Sequence, residues 1–471
     1  MNKTKTIATI TSINSSKEMM KSLINNGVDA IRINMNYSSL DFAKEVILKT
    51  NEINEELKTQ VAVLIELKGP GIRVNHIANN QDFLRKDDKI RIFMNNILGD
   101  CTKFSVDYKD LVKDIKINSI IKVNNGNIEL QVLEKNYEYV LCKVLKEGII
   151  KTNDSVNVPN LKINRPFLSE EDKQTILFAH KMNVDFIALS FVNSEDDVLE
   201  VDDLLINLGN DHLQIISKIE NESAITNIDN IIKMSEGIMI DRNNLGAEIE
   251  LERIPGIQKK ILSKCHQKGK IGIVATEFLL NSSANNYPTK AEISDIANAV
   301  LDGADAIMLS GLTTISKYPI ETLKILERTI RISENDINYD YMMNQAEIKE
   351  ANDVSENISY SVVTCSNKLE CKAIFAPTMS GNTPKTISKF RPNCPIVAIS
   401  PNVDVVKSLV LNFGVYPVLI NELKSLDATI EASQKIAFQF LDLKEKDKII
   451  ITGGYPYKKN KGTNFMKVEE L

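Results

Sequence analysis

Charged and polar residues follow several short apolar segments of this sequence, which is typical of an active site built at the ends of strands. Arg32 offers planar, permanently charged donors for a phosphate or a carboxylate, and Lys218 offers an ammonium that can neutralise charge on a transferring group. Glu220 could hold Mg²⁺ or Mn²⁺ through carboxylate oxygens. Phosphoryl transfer requires this combination of cations and a metal. Further polar groups end other apolar segments: Glu66, Ser190, Asp241, Thr276 and Glu277.

A structural role is an alternative interpretation of the same residues. Arg32 and Glu66 could form a buried ion pair, and Lys218 and Glu220 could satisfy each other inside a barrel. Cysteine and histidine chemistry is not expected, because the six cysteines and four histidines lack metal-ligand spacing. Carboxylates, lysine and arginine must therefore carry any chemistry.

Eight short apolar segments alternate with amphipathic segments, and this alternation predicts parallel strands covered by helices on both faces. The resulting architecture is a (β/α)8 TIM barrel, whose active site lies at the carboxyl ends of the strands. Thr289 and Glu292 have the spacing of a capping box at a helix start. The predicted strands are 6–11, 29–35, 60–67, 184–191, 214–219, 237–241, 270–276 and 305–310, and the predicted helices include 16–25, 40–57, 170–181, 194–208 and 289–301.

The alternation is interrupted once and ends before the C-terminus. Between residues 71 and 166 the segments become short and alternating, and Asn124-Asn125-Gly126 predicts a hairpin. This indicates an inserted small all-β domain. The sequence therefore divides into barrel segments 1–70 and 167–335, the inserted domain 71–166, and a C-terminal α/β domain 336–471 with strands at 373–376, 396–399, 416–418 and 448–451.

The composition of the 471 residues is that of a folded globular protein, with 43% hydrophobic and 25% charged residues. A net charge of −6 without a dense basic patch argues against nucleic-acid binding. No apolar segment approaches the ~20 residues of a membrane span, and the first residues lack the features of a secretion signal. We therefore expect a cytoplasmic protein that does not enter a membrane.

Several motifs resemble the pyruvate kinase family over essentially the whole chain, in the family's domain order. They include 6–12 (TIATITS), 27–34 (GVDAIRIN), 218–221 (KIEN), 288–292 (PTKAE) and 301–311 (LDGADAIMLSG). The resemblance implies transfer of phosphate from phosphoenolpyruvate to ADP, giving pyruvate and ATP. It also implies Mg²⁺ or Mn²⁺ and K⁺ as cofactors, and a homotetramer.

The resemblance also implies roles for individual residues. Arg32 matches the arginine that contacts the substrate phosphate, Lys218 the lysine that assists phosphoryl transfer, and Thr276 the threonine beside the substrate methylene. Glu220 matches one of two carboxylates on the divalent metal. Further matches fall on substrate- or nucleotide-binding positions (Arg73, Ser190, Asn243 and Asn244) and on monovalent-cation positions (Asn34, Asn36, Glu66 and Leu67).

This sequence departs from the family pattern around both metals. Asn244 stands in place of the second metal-binding aspartate, which implies a weakened divalent site, and Asn243 replaces a glycine. At the monovalent site Asn36 replaces serine and Glu66-Leu67 replaces aspartate-threonine, so K⁺ binding is altered. Asp241 and Glu277 add carboxylates that the family lacks; they could rebuild a metal site or pair with Arg242 and Lys290. Further departures are Gly71 for glutamate, Tyr37-Ser38 for histidine-glycine, and Asn124-Asn125 for two aspartates.

Three functions remain open on these residues. The first is a working pyruvate kinase with an altered metal site. The second is a catalytically impaired paralogue with a metabolite-binding or regulatory role. The third is a related metal-dependent enzyme of enolpyruvate or 2-oxoacid chemistry that keeps Lys218 and Glu220 but does not use ADP.

Overall fold

The computed structural model describes residues 1–159, 161, 163–210, 212–276, 278–279, 287–310, 318–346, 348, 352–421, 425–456 and 462–471. Its strands are β1 Lys5–Thr9, β2 Ala30–Asn34, β3 Ala62–Glu66, β4 Ile72–Arg73, β5 Gln81–Leu84, β6 Lys89–Phe93, β7 Lys103–Ser105, β8 Ile120–Val123, β9 Ile128–Lys135, β10 Tyr139–Lys146, β11 Gly148–Lys151, β12 Ser155–Asn157, β13 Phe186–Leu189, β14 Gln214–Ile219, β15 Gly237–Asp241, β16 Ile271–Ala275, β17 Ala306–Leu309, β18 Ala373–Pro377, β19 Ile396–Ser400, β20 Val415–Leu419, β21 Lys448–Gly453 and β22 Phe465–Glu470.

Eight of these strands close into a parallel barrel in the order β1-β17-β16-β15-β14-β13-β3-β2. The predicted (β/α)8 barrel is confirmed, since all eight predicted segments form strands and the first strand pairs with the last to close the barrel. The strands are buried on both faces, as in β16 with its continuous apolar sequence IGIVA. Inward-facing side chains such as Leu64, Phe186 and Met239 fill the barrel, and Val410 and Leu411 of the C-terminal region belong to the same apolar cluster.

Helices cover the outside of the barrel where the sequence predicted them. Ser16 caps the first helix by accepting the Met19 N–H, and Thr289 and Glu292 form the predicted capping box. Short 3₁₀ turns lie at Ala78–Asn80, Leu251–Arg253 and Glu334–Asp336. The described helices are α1 Lys17–Asn25, α2 Leu40–Leu57, α3 Leu111–Asp114, α4 Glu170–Lys181, α5 Glu195–Asn207, α6 Glu222–Thr226, α7 Ile228–Met234, α8 Arg242–Glu248, α9 Ile254–Lys268, α10 Lys290–Leu301, α11 Pro319–Ser333, α12 Tyr339–Gln345, α13 Val354–Lys368, α14 Asn382–Lys389, α15 Val403–Ser408 and α16 Leu426–Phe440.

The inserted segment forms a seven-stranded sheet, β4-β12-β8-β9-β10-β6-β7, and a two-stranded sheet, β11-β5. The predicted hairpin is confirmed, because β8 and β9 are antiparallel and Val123 pairs with Ile128. Its turn residues Asn124, Asn125 and Gly126 all have positive φ, a conformation that asparagine and glycine tolerate well.

The C-terminal region is an α/β unit whose five-stranded sheet has the order β20-β19-β18-β21-β22. The four predicted strands are present. The sequence analysis missed β22, an antiparallel edge strand whose residues (FMKVEE) are mostly exposed and therefore lack an apolar pattern. Within the described residues, none of the helices combines the length and the apolar character that crossing a membrane requires.

Candidate active site

A cavity of about 460 Å³ opens at the carboxyl ends of the barrel strands. Its lining brings together eleven of the twelve site residues predicted from the sequence. These are Arg32, Asn34, Asn36, Glu66, Arg73, Ser190, Lys218, Glu220, Asn243, Asn244 and Thr276.

Leu67 is the exception, because its side chain does not line the cavity. Successive strand residues point to opposite faces, so Glu66 faces the cavity whereas Leu67 packs into the apolar layer between strands and helices. Leu67 contributes through its backbone alone, since its carbonyl accepts a hydrogen bond from the Ser190 hydroxyl at 2.9 Å.

Lys218 lies at the centre of a buried ionic network. Its Nζ is 3.1 Å from Oε1 of Glu66, 3.0 Å from Oε1 of Glu220 and 3.1 Å from Oδ2 of Asp241. Burial lowers the pKa of Lys218, but the attraction of these three carboxylates outweighs burial and raises it above its usual value. Lys218 is therefore a permanent cation at neutral pH.

Arg32 and Glu66 form a bidentate ion pair beside Lys218. Nε and Nη2 of Arg32 each lie 2.8 Å from an oxygen of Glu66, and Nη1 donates to the Thr9 hydroxyl at 2.9 Å. Burial raises the pKa of Glu66, but Arg32 and Lys218 together lower it to about 2. Both ion pairs of the structural interpretation, Arg32–Glu66 and Lys218–Glu220, are thus present, and all four side chains also line the cavity.

The start of α8 places two further polar groups against Glu220. Asp241 is the N-cap of this helix and accepts the Asn244 N–H. The side-chain Nδ2 of Asn244 lies 2.6 Å from Oε1 of Glu220 and 3.4 Å from Oδ2 of Asp241. Burial raises the pKa of Glu220, and the charge of Asp241 adds to this rise although Lys218 opposes it.

Arg242 points away from this network. Its guanidinium pairs with Asp295 at 2.6 and 2.9 Å, donates to the Thr276 carbonyl, and stacks over the Phe278 ring. The alternative that Asp241 pairs with Arg242 is therefore wrong, because Asp241 pairs with Lys218. Glu277, the other added carboxylate, lies outside the described residues.

Two cavity residues have strained backbones. Thr276 has φ of 70° and Phe191 has φ of 59°, a region that costs such residues roughly 1–3 kcal/mol. Both residues make hydrogen bonds at the site in this conformation. The Phe191 N–H donates to Oε2 of Glu220 at 2.5 Å, and the Thr276 hydroxyl accepts the Asn243 N–H at 3.3 Å. The sequence analysis missed Phe191, and a positive φ outside glycine leaves no signal in a sequence.

The inserted domain reaches the same cavity. Arg73 on β4 and Asn125 in the β8–β9 turn both line it, and Nδ2 of Asn153 donates to the Asn36 carbonyl of the barrel at 3.2 Å. Thr9 and Ser310 complete the lining from the first and last barrel strands. A small anionic molecule in this cavity would meet cations from both the barrel and the insert.

The donor atoms around Lys218 are oxygens, the ligands of Mg²⁺ and Mn²⁺. Within the described part of the chain, however, histidine, cysteine, aspartate and glutamate side chains nowhere come together in threes to form a metal site. Any divalent site here must therefore combine carboxylates with other oxygen donors.

Comparisons with family models, curated sequences and solved structures all indicate the same protein family. Residues 1–323 match the family described as "Pyruvate kinase, barrel domain", and residues 356–469 match "Pyruvate kinase, alpha/beta domain". The chain is 38% identical to a pyruvate kinase of Clostridium perfringens over the full length of both chains. It is 35% identical to a pyruvate kinase of Geobacillus stearothermophilus, covering all of this chain and 80% of that one. A crystal structure of a pyruvate kinase from Cryptosporidium parvum superposes with a TM-score of 0.90 at 30% identity, covering 100% of this chain and 96% of the other.

Proposed function

The chain belongs to the pyruvate kinase family, and we propose that it transfers the phosphoryl group of phosphoenolpyruvate to ADP, giving pyruvate and ATP. The observation that carries this proposal is Lys218, a buried cation that faces a cavity together with Arg32 at the mouth of the barrel. Both substrates are anions, and a cavity lined by fixed cations attracts them.

In the proposed reaction the P–O bond of phosphoenolpyruvate breaks as an oxygen of the ADP β-phosphate bonds to phosphorus. Lys218 and Arg32 neutralise the charge that spreads over the phosphoryl oxygens. Arg73 supplies a third cation from the inserted domain, residues 71–166, which we propose acts as a lid. Ser190, whose hydroxyl is held by the Leu67 carbonyl, and the Asn243 backbone line the substrate side.

The enolate left after phosphoryl transfer takes up a proton at its methylene carbon and becomes pyruvate. We propose that Thr276 delivers this proton through its hydroxyl, which lines the cavity and lies 3.5 Å from Oδ1 of Asp241, and that a water molecule in the cavity gives the hydroxyl its proton back. The Thr276 hydroxyl donates to the Ala275 carbonyl at 2.6 Å, and the Arg242 guanidinium fixes the Thr276 carbonyl.

The residues of the cavity fit a divalent cation. Glu220 and Asn244 would hold Mg²⁺ or Mn²⁺ through oxygen atoms, and Asp241 lies within reach of Asn244. When bound, such an ion neutralises charge on the phosphoryl oxygens. The replacement of an aspartate by Asn244 predicts weaker metal binding than a site with two carboxylates at these positions.

The residues do not fit K⁺ in the same way. Leu67 offers no side-chain oxygen to the cavity, and both oxygens of Glu66 are engaged by Arg32 and Lys218. The side-chain oxygen of Asn34 accepts the Asn36 N–H at 2.9 Å. We therefore propose a reaction that does not depend on K⁺, and we assign that ion no step.

A catalytically impaired, metabolite-binding relative is the second candidate. The observation that favours it is Asn244, whose amide donates to Glu220 and so occupies an oxygen that a metal would need. Such a protein would still bind phosphoenolpyruvate at Arg32 and Lys218. In either case we propose a cytoplasmic homotetramer that binds small molecules rather than nucleic acid.

The test is pyruvate formation by the purified protein from phosphoenolpyruvate and ADP, with Mg²⁺ and Mn²⁺ titrated separately. We expect turnover that falls by ~10³-fold in Lys218→Met, because a cation on the transferring group is worth that much or more. Lys173→Met, which alters an exposed lysine on α4, is the matched control and should retain full activity. No pyruvate at any metal concentration, in a folded sample that binds phosphoenolpyruvate, would favour the second candidate.

A further inference from the structure

The buried charges of the cavity do not balance. Lys218 and Arg32 are the buried cations, while Glu66, Glu220 and Asp241 are the buried carboxylates, and each of the five is at most 6% exposed. Two buried positive charges thus face three buried negative charges, and the third cation of the lining, Arg73, is half-buried and belongs to the inserted domain. A buried charge without compensation is costly, so the network favours the entry of a further cation.

The excess negative charge is located at Asp241 and Glu220 rather than at Glu66. Glu66 is held on both oxygens, by the bidentate contact with Arg32 and by Lys218. Among the described residues Asp241 has one cationic contact, at 3.1 Å from Lys218, and Lys218 shares its charge with the two other carboxylates. Glu220 likewise contacts Lys218 as its only cation among the described residues.

Asn244 stands between these two carboxylates. Asp241 is the N-cap of α8 and Asn244 is its third residue, so both side chains lie on one side of the first turn. The amide NH₂ of Asn244 is directed at Glu220 and Asp241, at 2.6 and 3.4 Å. A half-turn of the amide would place its oxygen there instead, and the orientation of an amide follows the hydrogen bonds around it.

We propose that Asp241 supplies the second carboxylate of the divalent metal site, with Glu220 and the side-chain oxygen of Asn244 as its companions. The negative charge that an aspartate at position 244 gives other family members is thereby moved three residues back, to the helix N-cap. The inference rests on the proposed function, since it assigns a residue to the metal that this reaction uses.

Asp241 also has a role that does not involve metal, since it caps α8 and pairs with Lys218. The variant Asp241→Asn keeps the helix cap and removes the charge, because asparagine is as good an N-cap as aspartate. The double variant Asp241→Asn with Asn244→Asp keeps the total charge and returns the carboxylate to position 244.

The experiment measures Mn²⁺ binding to the purified, full-length protein by electron paramagnetic resonance of free Mn²⁺, without substrates. We expect Asp241→Asn to weaken binding by at least ~10-fold, since even residues that only support a metal ligand are worth 10–100-fold in affinity. The double variant should recover binding close to that of the unaltered protein. Asp196→Asn, an exposed carboxylate outside this cavity, is the control and should not change it.

Two results would overturn the proposal. One is Mn²⁺ binding by Asp241→Asn equal to that of the unaltered protein. The other is weakened binding that the double variant fails to restore although its thermal midpoint shows it to be folded. Because binding is measured without catalysis, loss of Mn²⁺ in Asp241→Asn would stand even if the protein made no pyruvate, so failure of the proposed function is distinguishable from failure of this assignment.

Discussion

Two buried lysines, at opposite ends of the barrel, differ in how closely carboxylates approach them. Lys5 begins β1 at the closed end, where its nearest carboxylate oxygen belongs to Asp29 at 3.9 Å and its ammonium lies over the Tyr416 ring. Burial therefore lowers the pKa of Lys5. Lys218 at the open end has three carboxylates within 3.1 Å, and its pKa is raised.

The carboxylates at the two ends of the barrel also have different partners. At the closed end Glu334 accepts the Thr4 N–H and Glu327 accepts the Thr6 hydroxyl, so these groups tie the start of β1 to α11 and the turn after it. At the open end the carboxylates hold cations that face a cavity. Buried charge alone therefore does not identify an active site; the candidate site of this chain differs in that its charges cluster around a cation and open to a cavity.

Replacement of the two lysines should separate catalysis from stability. Lys218→Met should reduce kcat by ~10³-fold. Lys5→Met should lower the free energy of unfolding, by ~3 kcal/mol if Asp29 remains charged, and leave kcat of the folded protein unchanged. Steady-state kinetics and thermal unfolding of both variants measure this. Equal losses of kcat in the two variants would contradict a catalytic role for Lys218 and a purely structural role for Lys5.

Two threonines, one at each end of the barrel, allow a second comparison of matched variants. Thr276→Val, which removes the hydroxyl but keeps the shape, should lower kcat by ~10²-fold, as expected for loss of a positioned proton donor. Thr6→Val removes the hydroxyl that contacts Glu327 and should leave kcat unchanged. Proton exchange at the methyl group of pyruvate, followed by NMR, should slow in Thr276→Val alone; unaltered exchange would assign the proton to another group.

The pH dependence of stability should have opposite signs at the two ends. The pKa of Glu66 is lowered to about 2, so its contribution is present above pH 4.5 and is lost as the pH falls toward 2. Burial raises the pKa of Glu327 to about 8, so the folded state holds its proton and stability falls as the pH rises from 4.5 to 8. Each effect is at most ~1.4 kcal/mol per pH unit.

Thermal midpoints across this pH range check the prediction. Glu66→Gln should flatten the acid limb, and Glu327→Gln should flatten the decline between pH 4.5 and 8. A decline that persists in Glu327→Gln would show that another group titrates there.

Of the changes considered, replacement of K⁺ should have the smallest effect on kcat. Because Leu67 and Glu66 leave no free side-chain oxygen for it, kcat with K⁺ replaced by tetramethylammonium should equal kcat with K⁺. A marked loss on replacement would mean that oxygens of Asn34 and Asn36, which line the cavity, bind the ion.

The barrel, the hairpin at Asn124-Asn125-Gly126 and strand-end residues such as Arg32 and Lys218 were predicted from local pattern, because strand ends and turns are set by neighbouring residues. Arg73 was expected at the site only from the family resemblance. The position of Leu67 could have been predicted from the two-residue alternation that turns Glu66 inward. The partner of Arg242 could not have been predicted from local pattern, because Asp295 is 53 residues away and lies on a different helix. The pairing of Asp241 with Lys218 likewise depends on the separate directions of β15 and the first turn of α8.

Transfer of the phosphoryl group from phosphoenolpyruvate to ADP is the central proposal for this protein. The most direct measurement is ³¹P NMR of phosphoenolpyruvate and ADP incubated with the protein and saturating Mg²⁺ or Mn²⁺, beside Lys218→Met. We predict that ATP appears in step with the loss of phosphoenolpyruvate, and that Lys218→Met makes both changes ~10³-fold slower. Phosphoenolpyruvate that persists with a folded, metal-bound protein, or that is lost as inorganic phosphate without ATP, would contradict the proposal.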